Sequence, residues 1–407
     1  MTGIVLAGSS LAAVRTAQAL RRKGFDGPIR MVGEEQDLPY DKPPLSKAAL
    51  KAPTDEVSPL LTAEQAEELG IDLVLGTAIT GLKADEQRLV LGDGSELGYD
   101  TLVLATGARA RPGPWTVESG IHTLRTADDG RALRQALAAG GPVVVIGAGF
   151  IGGEVAASCR SLGLEVTIVD VDASPLTRVI GAEVSGRLRR LHEGNGVQLR
   201  LGVGVRSITG QAGDLRVELA DGETLPCATI VVGIGAVPNT EWLEGSGLDL
   251  SDGVVCDGFG RTGLPEVYAL GDVAAWHHPD LGQPHRIEHW TNVIEQAPVL
   301  ASVITGQVPE KQVRPTHFVW SDQYDWSLHF VGRPAPDAEI HTVEPADAAD
   351  DGERTFATVY ADGDDLLGGV IANWPRASLT VRKAMNKREP ASEVLTKLRD
   401  LAPPPAR

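Results

Sequence analysis

The chain has 407 residues, of which 42% are hydrophobic and 23% charged, so it is long enough to form about three globular domains. Its formal net charge of −18 argues against binding nucleic acid or an anionic membrane surface, because both favour basic proteins. Its three cysteines, Cys159, Cys227 and Cys256, form no CxxC pair. This excludes a disulfide framework and a cysteine-rich metal site, and it suits a reducing cytoplasm. We expect no signal peptide and no membrane span, since no apolar run reaches the roughly 20 residues that a membrane helix needs.

The chain opens with the strand, turn and helix pattern of a dinucleotide-binding unit. An apolar strand leads into a turn of small residues, Gly8-x-Ser10-x-x-Ala13, and a second strand ends near Glu34. Small residues in such a turn let the backbone approach a pyrophosphate, and the helix N-terminus attracts the negative charge. The acid at the end of the second strand accepts hydrogen bonds from ribose hydroxyls. Ser10 and Ala13 stand where glycines are usual, so this copy is degenerate.

The middle of the chain repeats this pattern with the glycine motif complete. A strand of β-branched residues leads into Gly147-x-Gly149-x-x-Gly152, and the next strand ends at Asp170. A lone GxGxxG is a weak signal, but one between a strand and a helix with an acid in register is specific. A carboxylate at this position binds a 2′-hydroxyl and repels a 2′-phosphate, which favours NADH over NADPH. Arg178 is close enough in sequence to leave that preference open.

Further apolar strands end in glycine turns of the same kind. One strand ends at Thr106-Gly107, another leads to Gly235, and a third ends at Gly271-Asp272. Tight Asp-Gly turns between them indicate β-meanders. The sequence therefore predicts an α/β protein that contains two Rossmann-like units.

Longer motifs make the pattern more specific. Residues 39–47 read PYDKPPLSK, residues 233–239 read GIGAVPN, residues 286–296 contain RIEHWTN followed by EQ, and residues 319–323 read VWSDQ. Two further motifs are ATGA at residues 105–108 and YALGD at residues 268–272. With this set of motifs the chain resembles FAD-dependent NADH:ferredoxin reductases of oxygenase and cytochrome P450 systems. That family includes the putidaredoxin reductase and biphenyl dioxygenase ferredoxin reductase types, and the resemblance covers nearly the whole chain.

The resemblance implies a glutathione-reductase-like layout of three domains. A discontinuous FAD domain would comprise residues 1–110 and 243–314. An NADH domain would occupy residues 111–242. An α+β C-terminal domain, residues 315–407, would cover the flavin face and help to dock the partner.

The resemblance also implies a catalytic set of Lys47, Glu154 and Trp320. Lys47 follows a Pro-Pro turn, which can aim its side chain, and the family places its ammonium beside flavin N5 in a pair with Glu154. Glu154 would lie in the first turn of the helix that follows Gly152. Trp290 and Trp320 would be flavin-side aromatics. Each residue also has a simpler interpretation. Lys47 could be a solvated lysine, Glu154 an acid stabilised by the helix dipole, and the two tryptophans part of a hydrophobic core.

The predicted cofactor-binding residues share the two dinucleotide motifs or the family positions beside them. Within this set, Asp272 would meet the ribityl or phosphate region of FAD unless it only caps a helix. Arg125 matches a family arginine that touches FAD, with a surface residue beside a helix cap as the alternative. The complete set is Gly8, Ser10, Ala13, Glu34, Lys42, Lys47, Ile79, Thr106, Gly107, Arg125, Gly147, Gly149, Ile151, Gly152, Asp170, Arg178, Gly235, Gly271, Asp272 and Trp290.

The implied activity is hydride transfer from NADH to FAD, followed by single-electron transfer to a small iron–sulfur ferredoxin that serves a cytochrome P450 or a ring-hydroxylating oxygenase. No cysteine lies near Ser46 or elsewhere in residues 1–110, so dithiol chemistry is excluded. One alternative is an NADH oxidase or nitrite-reductase-like flavoprotein with another acceptor. Another is a binding protein like apoptosis-inducing factor, in which NADH tunes a binding state. We expect a cytoplasmic monomer or homodimer that binds neither nucleic acid nor membrane.

A basic run near the C-terminus is the predicted ferredoxin-docking surface. Its members are Arg376, Arg382, Lys383, Lys387 and Arg388. Lys383 and Lys387 share a face at helical spacing. A solvated helix face is the alternative interpretation, since charge runs are usually exposed to solvent.

Overall fold

A computed structural model describes residues 3–52, 54, 57–334, 337–345 and 353–402. The chain divides into two compact units. The first unit comprises Met1–Lys42, Glu56–Arg109 and Ala236–Pro315. The second comprises Pro43–Asp55, Ala110–Gly235 and Thr316–Arg407. Strands and helices are numbered along the whole chain.

The first unit contains a five-stranded parallel sheet in the order β19-β7-β1-β2-β3. Its strands are β1 (Ile4–Ala7), β2 (Ile29–Val32), β3 (Ile71–Val74), β7 (Thr101–Leu104) and β19 (Val267–Ala269). The central strands β1 and β7 are buried along their whole length, as expected for a parallel sheet covered on both faces. The Val-, Ile- and Leu-rich sequence of these strands meets that requirement.

Smaller sheets and three helices complete the first unit. A meander consists of β4 (Ile79–Lys83), β5 (Arg88–Leu91) and β6 (Glu96–Gly98). A second sheet pairs β8 (Ala108–Ala110) with β17 (Ala236–Pro238). A third contains β18 (Val254–Cys256), β20 (Ala274–His278) and β21 (Gln283–Arg286). The helices are α1 (Leu11–Arg22), α3 (Ala63–Glu68) and α7 (Trp290–Ile304). Helices α1 and α7 pack against each other, and their alanines allow this close approach.

The second unit contains its own five-stranded parallel sheet, in the order β12-β11-β10-β16-β9. Its strands are β9 (Ile121–His122), β10 (Val143–Ile146), β11 (Val166–Asp170), β12 (Gln198–Leu201) and β16 (Thr229–Val232), and a meander is formed by β13 (Val205–Gln211), β14 (Asp214–Leu219) and β15 (Thr224–Cys227). Its helices are α2 (Ala48–Lys51), α4 (Ala127–Ala138), α5 (Phe150–Ser161) and α6 (Thr177–Gly194). The repeated strand–turn–helix pattern thus forms two parallel sheets, one in each unit.

An antiparallel sheet with two helices forms the C-terminal part of the second unit. Its order is β22-β23-β26-β25-β24, from β22 (Phe318–Gln323), β23 (Trp326–Gly332), β24 (Glu339–Val343), β25 (Phe356–Asp362) and β26 (Asp365–Ala372). Helix α8 (Pro375–Lys387) packs on β23 and β26, and α9 (Ala391–Leu401) on β24 and β25. Helix α5 also packs against β22, and this contact brings the WSDQ motif to the start of α5.

Candidate functional site

The first glycine turn joins β1 to α1 and leaves the helix N-terminus open. Gly8 has φ +122°, and a Cβ there would lie 2.3 Å from the Ala105 carbonyl oxygen, so only glycine fits. Ser10 is the N-cap residue of α1, yet its side chain makes no capping hydrogen bond, and the first turn carries no acid. Ala13 is fully buried under the turn. An uncapped helix N-terminus behind a glycine turn is a suitable anion site, and it fits the pyrophosphate of FAD.

Asn239 and Gln296 hold two further turns of the first unit. The Asn239 side-chain amide donates to the Thr106 carbonyl oxygen at 2.9 Å, and the Thr106 hydroxyl donates back to the Asn239 carbonyl oxygen at 3.1 Å. The Gln296 Oε1 atom is buried and accepts the Gly271 N–H at 2.9 Å. Both residues belong to motifs quoted above, but sequence reasoning assigned no role to either. They fix the turns at Thr106-Gly107 and Gly271-Asp272.

The remaining predicted residues of this unit lie on surrounding loops and strands. Glu34 is exposed, while its neighbour Glu35 accepts from Lys42 Nζ at 2.8 Å. The Trp290 indole N–H donates to the Asp41 carboxylate at 2.9 Å. This hydrogen bond ties the start of α7 to the PYDKPP segment. Ile79 begins β4 and is half-buried.

The second glycine turn joins β10 to α5 and is closed more tightly. A Cβ on Gly152 would lie 1.9 Å from the Gly147 carbonyl oxygen. Gly149 is the N-cap residue of α5, which again has no side-chain cap. Ile151 is 42% exposed in the first turn of α5, an apolar surface beside the open helix end. Asp170 accepts the Ala148 N–H at 2.5 Å, so the predicted acid faces the glycine turn.

Three other predicted residues of the second unit lie outside this turn. Arg178 pairs with Asp172 and is 74% exposed. Gly235 is exposed after β16, and its carbonyl oxygen accepts the Arg111 N–H at 2.9 Å. Arg125 precedes α4, and its backbone N–H donates to Asp129 at 2.9 Å. Their predicted contacts with cofactors stay predictions.

Lys47 and Glu154 form an ion pair inside the second unit. Lys47 Nζ lies 2.9 Å from Glu154 Oε2, and the Glu154 side chain is only 3% exposed. Ser46 donates its hydroxyl to the same carboxylate oxygen, and Ser321 donates to Oε1 at 2.7 Å. The 3-10 helix Pro43–Ser46 delivers Lys47, as the Pro-Pro turn suggested.

The position expected for Glu154 needs correction. Helix α5 begins at Phe150, so Glu154 is its fifth residue and lies beyond the first turn. The hydrogen-bond donors around the buried carboxylate, rather than the helix dipole, therefore explain why an acid is found at this position.

Trp320 belongs to an aromatic stack at the C-terminal sheet. Its indole stacks on Phe318 with ring centroids 6.3 Å apart and an interplanar angle of 29°. The Arg382 guanidinium lies over the other ring, 4.0 Å from the Phe318 centroid. Of the predicted docking cations, Arg382 is thus part of this stack, whereas Arg376, Lys383, Lys387 and Arg388 are exposed.

The cysteines offer no redox centre. All three are free and buried. Burial raises the pKa of the Cys159 thiol to about 12 and that of Cys227 to about 11, so neither forms the thiolate needed for nucleophilic chemistry near neutral pH. Within the described residues, no cluster of three or more His, Cys, Asp or Glu side chains could hold a metal. The same residues form no helix long and apolar enough to cross a membrane.

Comparisons with known proteins agree with this geometry. A family model described as pyridine nucleotide-disulphide oxidoreductase matches residues 2–297, and one described as reductase C-terminal matches residues 318–402. The chain is 37% identical to rhodocoxin reductase of Rhodococcus erythropolis over 391 residues, which cover 95% of this chain and 90% of that protein.

Two solved structures resemble the chain over almost its whole length. The ferredoxin reductase of the CYP199A2 system from Rhodopseudomonas palustris is 31% identical, with a TM-score of 0.90 over 99% of this chain and all of that one. The covalent putidaredoxin reductase–putidaredoxin complex matches at 32% identity and a TM-score of 0.87, covering 98% of this chain and 99% of that chain.

Replacing Gly152 tests the second turn. We expect Gly152→Ala to weaken NADH binding by at least about tenfold, because the turn must open to admit the methyl group, and to leave the FAD content unchanged. Gly194→Ala in α6 is the control, since a Cβ there would meet nothing within 4 Å. Equal NADH dissociation constants for the two variants, measured by equilibrium titration, would contradict the assignment of this turn.

Proposed function

The chain belongs to the pyridine nucleotide-disulphide oxidoreductase family, and from that membership we propose that it delivers electrons singly from NADH, through bound FAD, to a small iron–sulfur ferredoxin. It is an oxidoreductase that uses FAD and NADH. The ferredoxin would serve a cytochrome P450 or a ring-hydroxylating oxygenase, as the named systems of its relatives suggest. The observation that carries the proposal is the Lys47–Glu154 pair, whose carboxylate is buried. It is combined with two glycine turns that lead into uncapped helices and with no available thiolate.

The family, fold class and activity expected from the sequence are confirmed. The matching relatives are ferredoxin reductases of the expected type, and the chain has two Rossmann-like units with an α+β C-terminal part. The predicted domain boundaries and the roles of individual site residues stay predictions.

FAD fits the first unit because its glycine turn and open helix end suit a pyrophosphate. When bound, FAD would supply the chemistry that joins a two-electron hydride donor to a one-electron acceptor. The chain's own residues bind, orient and surround it. Gly8 and the N-terminus of α1 would hold the phosphates, while Thr106, Gly107, Gly271 and Asp272 stand on turns fixed by Asn239 and Gln296.

The Lys47–Glu154 pair would supply positioned charge. The family resemblance implies that the Lys47 ammonium lies beside flavin N5, where a cation stabilises developing negative charge. Glu154 is almost inaccessible to water, so its attraction for Lys47 is screened less than that of an exposed acid would be. We therefore assign Lys47 to charge stabilisation and Glu154 to orienting it.

The ferredoxin would dock on the face of α8 that carries Lys383 and Lys387. Both residues are exposed on a chain of net charge −18, and Glu389 lies 3.9 Å from Lys387 Nζ. The two lysines would still give this face a local positive charge that can steer an acidic partner despite overall repulsion. Trp320 lies on the sheet under this helix, through the stack with Phe318 and Arg382. We also propose a cytoplasmic location, supported by the three free cysteines; a monomer or homodimer remains the expectation.

A turnover assay of NADH against a panel of ferredoxins from the same genome tests this function. We expect one ferredoxin to be reduced far faster than oxygen or nitrite. Preference for oxygen or nitrite would instead support the oxidase or nitrite-reductase-like alternative. Slow reduction, followed by a long-lived complex of reduced enzyme with NAD, would support the binding protein like apoptosis-inducing factor.

Asp170 should set the nucleotide preference. We expect flavin reduction by NADH to be faster than by NADPH at equal low concentrations, because the carboxylate repels a 2′-phosphate, and because Arg178 is paired with Asp172. Asp170→Ala should reduce the difference in rate between NADH and NADPH, mainly by weakening NADH binding. Equal stopped-flow rates for the two nucleotides in the parent enzyme would contradict this.

Lys47 and Glu154 should act as one unit. We expect Lys47→Met and Glu154→Gln each to slow flavin reduction by about tenfold or more, as for loss of a hydrogen bond to a charged group. The double variant should be little slower than either single one. Parent rates in both single variants, measured under saturating NADH, would remove the pair from the mechanism.

Docking can be tested by charge reversal on α8. We expect the double variant Lys383→Glu, Lys387→Glu to have a higher KM for ferredoxin, and we expect that KM to depend less on salt concentration. The rate at which NADH reduces ferricyanide should be unchanged. Arg382 is left intact because it packs on Phe318. The matched control reverses Arg22 and Lys23, which are exposed at the end of α1. If ferredoxin turnover responds equally to both double variants, the partner docks elsewhere.

A further inference from the structure

The side of Glu154 that faces away from Lys47 continues into a line of buried polar groups. Ser321 is fully buried on β22, and its hydroxyl donates to Glu154 Oε1 at 2.7 Å. The side-chain amide of Gln323, 1% exposed, donates in turn to Ser321 Oγ at 3.1 Å. Gln323 is held close to the start of α5, since a Cβ on Gly153 would lie 2.8 Å from its amide. All these groups belong to the second unit.

The ionised carboxylate fixes the direction of these hydrogen bonds. An ionised Glu154 can only accept, so the Ser321 hydroxyl must give it its single proton. Ser321 Oγ then accepts a hydrogen bond, and among the described residues the NH₂ end of the Gln323 amide is the donor that reaches it. The Gln323 carbonyl oxygen must therefore point the other way, away from Ser321.

His192 supplies the donor that this carbonyl oxygen needs. Gln323 Oε1 is buried and has no hydrogen-bond partner of good geometry in the described part of the chain, and the Gln323 side chain lies beside the His192 ring. His192 Nδ1 is engaged with the Tyr324 hydroxyl at 2.9 Å, so Nε2 is the ring nitrogen that remains available to donate to Gln323. A buried carbonyl oxygen requires a donor, so His192 carries its proton on Nε2. Its Nδ1 atom then accepts from the Tyr324 hydroxyl.

The protonation states agree with this direction. Burial lowers the pKa of His192 to about 4, so its ring is neutral and carries one N–H at neutral pH. Burial also raises the pKa of Tyr324, which keeps its hydroxyl protonated. Charged groups beside the line include Lys47 at the Glu154 end and Arg160 near Tyr324. Neither donates to Gln323 in the part of the chain that the structure describes: Lys47 Nζ contacts Glu154 and the Pro43 carbonyl oxygen, and Arg160 donates to the Asn195 and Leu164 carbonyl oxygens.

We propose that Ser321, Gln323 and His192 are positioning residues that form a donor chain, running from Tyr324 to Glu154 with every hydrogen bond directed at the carboxylate. The donor chain holds the Glu154 carboxylate in the rotamer that pairs with Lys47, without a second cation. Hydrogen bonds that point the same way polarise and strengthen one another. The inference rests on the proposed role of the Lys47–Glu154 pair and deepens it.

The orientation of the donor chain can be measured without any activity assay. In the FAD-containing enzyme labelled with ¹⁵N-histidine, we expect His192 to be the neutral tautomer protonated on Nε2 at pH 7. The signal that disappears in His192→Gln identifies the residue, and Tyr324→Phe, which shifts its Nδ1 signal, identifies it independently. A proton on Nδ1, or a doubly protonated ring, would reverse or interrupt the donor chain and overturn the proposal.

Kinetics test what the donor chain does. Ser321→Ala should lower the limiting rate of flavin reduction by about tenfold while leaving the NADH dissociation constant unchanged, because it removes a donor from a buried charge. Ser321→Thr, which keeps the hydroxyl, should restore most of the rate. Gln323→Glu should also slow the reaction, since a second carboxylate competes for the Ser321 proton. Tyr324→Phe, at the far end, should have the smallest effect.

Two matched controls separate this role from general stability. Ser185→Ala removes a hydroxyl that is equally buried and donates to the Pro175 carbonyl oxygen at 2.6 Å. Tyr360→Phe removes a buried hydroxyl bonded to the Ile180 carbonyl oxygen at 2.6 Å. Both belong to the second unit and lie outside the donor chain, so they should lower the melting temperature without changing the limiting rate.

The outcomes also distinguish this inference from the proposed function. If Glu154→Gln slows flavin reduction but Ser321→Ala and Gln323→Glu match the controls, the donor chain is wrong and the Lys47–Glu154 pair stands. If Glu154→Gln itself reacts at the parent rate, the proposed role of the pair fails, whatever tautomer His192 shows.

Discussion

Glu154 carries a negative charge that the fold has removed from water, with only 3% of its side chain exposed. An unpaired buried carboxylate is costly, so its surroundings must provide a cation and hydrogen-bond donors together. Lys47, Ser46 and Ser321 meet that requirement. They come from a proline turn and from a strand, β22, whose Ser321 lies 167 residues from Glu154 in sequence. The contact of β22 with α5 is needed to complete the site. Removing any of the three side chains leaves the buried carboxylate without one of its partners. The packing of the second unit and the charge balance at Glu154 therefore depend on each other.

The features predictable from the sequence are those encoded over short distances. The turn at Gly147, Gly149 and Gly152 lies between β10 and α5, and Asp170 ends β11, as the spacing indicates. Each of these depends on a strand, a turn and a helix that follow one another along the chain. The pairing of Lys47 with Glu154 was implied only by the family resemblance, since no local pattern relates residues so far apart.

The residues that sequence reasoning missed act through contacts between distant segments. Asn239 fastens the turn at Thr106, and His192, on α6, is the donor that we infer for Gln323 on β22. An asparagine or a histidine in isolation gives no signal of such a contact, because the partner is known only once the sheets have formed. Arg382 shows the same limit: its charge suggests a docking surface, while its guanidinium packs on Phe318.

The conversion of a hydride donor into single electrons is the central claim, and an anaerobic titration tests it most directly. A limiting amount of NADH is added to the FAD-loaded enzyme with an excess of its oxidised ferredoxin, and the reduced ferredoxin is counted by absorbance. We expect two ferredoxins to be reduced for each NADH consumed, with the flavin returning to its oxidised state. If NADH bleaches the flavin while every ferredoxin in the genome stays oxidised, the chain is a flavoprotein of another kind.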